Sequence, residues 1–197
     1  DIADGLGEMQ KLDQLVGGLL RDLSPRVLLV LGNHDLGYEP GNPLQAACFI
    51  DYAAGEETLV LPDRSYGVDF GVASVMVLDT TDLDAAQAEA TRRLWKGGDG
   101  WKLVVGHHVL RTYHDKEHDR RVEPWLKQHG LKPDLYANGH AHVLQFGVYG
   151  GIPAITSGAT AKLRQRPACP PDCGPGQAFG ASVLGYAVLN IVPGEME

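Results

Sequence analysis

At 197 residues, 44% hydrophobic and 21% charged, the chain has the composition of one soluble globular domain (1–197) long enough to bury a substantial core. A net charge of -8, with Lys162-Leu163-Arg164-Gln165-Arg166 as the longest basic cluster, argues against nucleic acid as the main partner. No apolar run approaches the roughly 20 residues that a membrane span needs.

In chain order, Leu6, Met9, Leu12, Val16 and Leu19 fall at helical spacing, with Asp4 as a candidate N-cap and Ser24-Pro25 as the stop. Arg26–Leu31 reads as a strand buried on both faces. Residues 36–65 are mixed in polarity, with a short helix near Leu44–Tyr52. Tyr66–Phe70 and Ala73–Leu78 read as strands separated by a turn at Gly71, and Asp84–Trp95 as a helix. Lys102–Val105 is the next strand. Val122, Trp125, Leu126 and His129 mark a helix closed by Gly130. Leu135–Ala137, Gln145–Tyr149 and Ile152–Ile155 form a dense strand cluster. Pro167–Phe179 is a Pro/Gly/Cys loop, and Val183–Val192 is predicted as a final strand. Alternation of helix and strand up to residue 137 predicts a largely parallel sheet, with antiparallel additions after it.

The cysteines differ in meaning. Cys48 reads as a buried apolar residue. Cys169 and Cys173 flank Pro-Pro-Asp, a spacing open to a small disulfide or to two free thiols.

Three strand-like runs each end in ligand-type residues beside a glycine. Arg26–Leu31 leads to Gly32-Asn33-His34-Asp35, Lys102–Val105 to Gly106-His107-His108, and Leu135–Ala137 to Asn138-Gly139-His140-Ala141-His142. The carboxyl ends of strands are where α/β sheets build their sites. Neutral imidazole is the commonest transition-metal ligand, and two imidazoles one residue apart can splay toward neighbouring ions. One such loop could be a set of surface histidines or, at Asn33, an ordinary turn. Three in order point to a metal site.

The ordered set Gly32-Asn33-His34-Asp35, Val104-Val105-Gly106-His107 and Gly139-His140-Ala141-His142 resembles the calcineurin-like metallophosphoesterase superfamily. Leu78-Asp79-Thr80, the Trp101–His108 run, Ser157-Gly158-Ala159 and Gly185-Tyr186-Ala187 resemble its purple acid phosphatase branch. The resemblance implies a four-layer α/β sandwich: two mixed β-sheets face to face, helices outside, the first strands lacking. It implies two metal ions (Fe, Mn or Zn) held by Asp1, Asn33, His107, His140 and His142. Asp1 would bridge them, Asn33, His107 and His140 would serve one ion, and His142 the other. The ions would make a bound water nucleophilic toward a phosphate ester. His34 would stabilise the transition state or protonate the leaving group, oriented by Asp35. Asn33, His108 and His118 would border the substrate.

The family's first block, Asp-x-His or Asp-x-Gly, has no counterpart here, and Asp4 stands where the purple branch has its tyrosine. The resemblance therefore implies a piece poorly active alone. An acid-phosphatase-like phosphomonoesterase is the leading expectation. A phosphodiesterase or nucleotidase, and a non-catalytic binding relative, are the alternatives. The partner expected is a small phosphorylated substrate, and the compartment extracytoplasmic. His114 and His118 lie in a charged run of the kind found on solvated faces.

Overall fold

The computed structural model describes residues 26–37, 42–111, 121–159, 162–165, 168–169, 173 and 175–196. The expected first helix with its cap Asp4, as well as Asp1, His114 and His118, lie outside the described residues. The elements are β1 (Val27–Leu28), α1 (Pro43–Ala54), β2 (Leu59–Val60), β3 (Tyr66–Asp69), β4 (Ala73–Val77), α2 (Ala85–Lys96), β5 (Trp101–Gly106) and α3 (Val122–Gln128). After them come β6 (Leu135–Asn138), β7 (Leu144–Tyr149), β8 (Ile152–Ser157), β9 (Gln177–Ala181), β10 (Ile191–Val192) and β11 (Glu195–Met196).

Seven strands form one mixed sheet in the order β3-β4-β5-β6-β8-β7-β9. Its centre, β4 through β6 to β8, is parallel, and its flanks are antiparallel. The parallel-then-antiparallel expectation holds for this centre and for the β7–β8 hairpin. At the early edge β3 runs antiparallel to β4, because the tight turn at Phe70–Val72 returns the chain directly. A separate parallel pair joins β1 to β2.

The period of two along each strand sorts the core onto two faces. Val75, Val77, Leu103 and Leu135 face the β1–β2 pair and α1, packing with Leu29, Leu31, Phe49 and Leu61. Met76, Val104, Tyr136 and Ala154 face the other way, with Ala88 of α2 and Val122, Trp125 and Leu126 of α3. Enclosing a side chain such as Leu126 contributes roughly 1.5–3 kcal/mol relative to exposure. The β1–β2 pair with α1 on one face of the large sheet, and α2 with α3 on the other, give a layered α/β architecture.

Local chemistry sets the helix ends. The Asn42 side chain accepts from the Leu44 amide at 3.0 Å, with Pro43 at the first helical turn of α1. Asp84 caps α2 through the Gln87 amide at 2.8 Å, while Arg93 and Lys96 complement its C-terminal dipole. Gly130, at φ 64, follows α3 in the left-handed conformation that ends helices.

Two expectations are corrected. Val183–Val192 is not one strand. Residues 182–190 are irregular, with Val183, Leu184, Tyr186 and Val188 exposed, and only Ile191–Val192 pairs, with Glu195–Met196. The edge strand is instead Gln177–Ala181, in the stretch read as loop, registered on β7 by Phe146 opposite Phe179. Cys48 is half-buried rather than core. The question left open at Cys169 and Cys173 resolves to a disulfide.

Candidate metal centre

The carboxyl ends of β5 and β6, with the loop after β1, bring the three sequence motifs to one place. Residues 33–37 form a tight turn in which the Leu36 amide donates to the Gly32 carbonyl at 3.1 Å. Asp35 is fully buried, and its carboxylate accepts the Gly32 amide at 2.7 Å. That bond ties the turn shut. Asn33 is thereby held with its Oδ1 3.0 Å from His107 Nε2. His34 is half-buried beside it.

His107 and His108 follow β5 directly. Gly106 before them has no room for a side chain: a Cβ would lie 2.5 Å from Thr80 Cγ2 and 2.6 Å from the Tyr136 hydroxyl. These two neighbours hold His108. Thr80 Oγ1 accepts the His108 amide at 3.0 Å and meets its Nδ1 at 2.8 Å, while the Tyr136 hydroxyl donates to the His108 carbonyl at 2.5 Å. His108 is buried, and a nitrogen of its ring lies in a cluster with nitrogens of His107 and His140, all within 4.8 Å of one another.

The third loop is supported from below. Asn138 donates to the Ile155 carbonyl at 3.1 Å and accepts from the Thr156 hydroxyl at 2.8 Å. Beyond it, His140 and His142 both take positive φ, 59° and 52°. Non-glycine residues adopt this conformation at a cost of order 1–3 kcal/mol each, and such strain gathers at functional sites. The result puts His140 Nδ1 2.9 Å from His107 Nε2. His142 Nδ1 is buried with no hydrogen-bond partner among the described residues.

Burial, reinforced by the charges of His140, His108 and His34, pushes the His107 imidazole well below its usual range. Burial, then the cations Arg164 and Lys162, lowers His142 as well. Both rings are therefore neutral near pH 7, the state in which an imidazole offers a lone pair to a metal. Asn33 Oδ1 and His140 Nδ1 both approach His107 Nε2, and His142 adds a buried nitrogen with no hydrogen-bond partner among the described residues. The donor set fits a divalent transition-metal ion.

A family model for calcineurin-like phosphoesterases matches residues 1–144. The chain belongs to this family. Members are metal-dependent phosphoesterases, and the histidine cluster lies where the matched motifs meet. Among curated relatives, Purple acid phosphatase 17 of Arabidopsis thaliana is 44% identical over 68 residues, which is 32% of this chain and 20% of that protein. Purple acid phosphatase 7 of Arabidopsis thaliana is 35% identical over 91 residues, 44% of this chain and 24% of that protein. The chain thus spans less than a quarter of the length of these relatives. The solved structure described as "GAP50 the anchor in the inner membrane complex of Plasmodium" shares the fold at TM-score 0.52 and 18% identity, over 81% of this chain and 56% of that one.

Sequence reasoning missed the roles of Tyr136 and Thr156, and saw Thr80 only as part of a motif. Each is a buried polar residue at or near a strand end. Such residues carry no local signal, because their partners are 18 to 28 residues away.

Proposed function

We propose that the chain hydrolyses phosphate esters in a metal-dependent reaction with two ions, and acts as an acid-phosphatase-like phosphomonoesterase. The observation that supports this most is the convergence of Asn33 Oδ1, His107 Nε2 and His140 Nδ1 within 3.0 Å contacts. When bound, the ions supply Lewis-acid chemistry: they polarise phosphoryl oxygens and make water nucleophilic near neutral pH. Asn33, His107 and His140 hold one ion, and His142 serves the other with Asp1. Asp35 braces the turn that presents Asn33 and His34. His34, half-buried beside the donors, stabilises charge on the phosphoryl group or gives a proton to the leaving oxygen. His108, pinned by Thr80 and Tyr136, borders the phosphate, with His118 as a further substrate contact. An extracytoplasmic location agrees with the Cys169–Cys173 disulfide.

The test combines metal analysis with hydrolysis of p-nitrophenyl phosphate and bis(p-nitrophenyl) phosphate before and after chelation. The expected result is bound metal, and cleavage that favours the monoester, disappears on chelation and returns with added ion. Preference for the diester selects the phosphodiesterase reading. Retained metal without cleavage of either compound selects the non-catalytic relative. A chain that holds no metal overturns the site itself.

A further inference from the structure

The basic cluster at Lys162–Arg164 has no part in the centre described above, yet it is fastened to it. The Arg164 amide donates to the His142 carbonyl at 3.1 Å, and the Arg164 carbonyl accepts from the Ser182 hydroxyl at 2.6 Å. Gly158, at the end of β8, sits so close to the histidine loop that a Cβ there would lie 3.0 Å from the Gly139 carbonyl carbon and from the His142 amide. The segment carrying Lys162 and Arg164 is therefore backed onto the His140–His142 loop. Both side chains are solvent-exposed, and both charges are felt at the His142 ring.

The distribution of charge makes this placement unusual. Between Leu135 and Gly194 the chain has three basic residues and one acidic, against fourteen basic and twenty-four acidic elsewhere. A protein of net charge -8 repels anions in general, and a local positive rim concentrates them at one mouth. Ions in the centre would meet the scissile phosphate. Exposed cations farther out would meet whatever extends beyond it. Arg164 offers a planar fork suited to phosphate oxygens, and Lys162 a mobile point charge.

We propose that Lys162 and Arg164 form a cationic rim that selects substrates whose leaving group carries a second anionic group, of the diphosphate class. The inference rests on the phosphoesterase reading and adds to it the charge of the leaving group. In the reaction, water oxygen bonds to the inner phosphorus and the bridging P–O bond breaks. Its electron pair departs on the outer phosphate, held by the rim, and the water proton passes to that oxygen or to solvent.

The experiment titrates the metal-loaded chain with inorganic pyrophosphate and with inorganic phosphate by calorimetry. It is run on the wild type, on Lys162→Gln/Arg164→Gln, and on the distant exposed variant Lys127→Gln. The wild type is expected to bind pyrophosphate about tenfold tighter than phosphate, a preference that shrinks with added salt. The double variant should bring the ratio close to one, and Lys127→Gln should keep it. A double variant with the wild-type ratio, or a wild type that does not discriminate, overturns the rim. Metal content measured on the same samples separates the two levels. Metal and phosphate bound without discrimination overturns only the rim, whereas no metal and no anion bound overturns the phosphoesterase reading with it.

Discussion

The two ends of the seven-stranded sheet are both polar, and they are built in opposite ways. At the amino end a cavity of about 680 Å3 is bordered by Gly71, Asp99, Trp101, Lys102, Asp134 and Pro193. Its polar groups are engaged in holding loops: Asp134 accepts the Lys102 amide at 2.8 Å, and the Trp101 indole donates to the Val192 carbonyl at 3.2 Å. At the carboxyl end polar side chains meet one another instead of bracing loops. His107 Nε2 meets both an amide oxygen and a second imidazole nitrogen, and His142 Nδ1 has no described partner. Concavity alone is therefore a poor guide to chemistry here. Ligand-type side chains gathered on left-handed backbone mark the carboxyl end as the candidate site.

That contrast implies effects of very different size. His107→Ala removes the atom that Asn33 and His140 both approach, and His140→Ala removes one of its partners. Each is expected to cost an ion and to reduce phosphate-ester turnover to background, whereas His34→Ala should keep the metal and slow turnover about 10²–10⁴-fold. Metal analysis beside kinetics decides; equal metal loss in the His34 variant would remove His34 from its assigned role.

Gly106→Ala comes next. The added methyl collides with Thr80 and Tyr136, and overpacking of this kind costs roughly 1–3 kcal/mol. A thermal melt should show a lowered Tm, and an unchanged Tm would mean that the wall around His108 yields easily.

A smaller effect is expected from pH. Folding holds His107 below its ordinary value of 6.5, so the folded chain refuses a proton that the unfolded chain accepts. Below about pH 6.5 the unfolded state binds more protons, so the metal-stripped protein loses stability as pH falls through that range and keeps it above. Tm should drop between about pH 7 and pH 5. His107→Asn should flatten that drop, and a drop equally steep in the variant would assign it elsewhere.

The smallest effect belongs to the amino end. Lys102→Gln, in the cavity wall, should leave metal content and turnover within about twofold of wild type, as surface substitutions generally do. A larger change would mean that the two ends communicate.

The chain of 197 residues announced its centre far more clearly than its periphery. Lys102–Val105 and Leu135–Ala137 were legible because buried strands are short continuous apolar runs, whereas of Arg26–Leu31, expected as a strand buried on both faces, only Val27–Leu28 pairs and it is half-buried. Asn33, His107 and His140 were legible because they follow such runs at glycines. Helices α1, α2 and α3 were legible near their observed bounds, and the end of α3 was legible at Gly130, while the caps at Asn42 and Asp84 emerged only in the structure. By contrast, Val183–Val192 looked like a strand on composition alone and is mostly unpaired, while Gln177–Ala181, weak in β-formers, pairs with β7. A helix satisfies its own backbone, but a strand is decided by a partner elsewhere in the chain.

The same reason divides the site. Sequence by itself determined which residues can donate to a metal and at which strand ends they stand, because ligand chemistry and strand periodicity are local. Only the tertiary structure decided that His108 turns inward against Thr80 and Tyr136, that His140 and His142 take left-handed backbone, and that Lys162 and Arg164 lie beside His142. Those outcomes depend on which polar atoms must find partners once the sheet has closed around them.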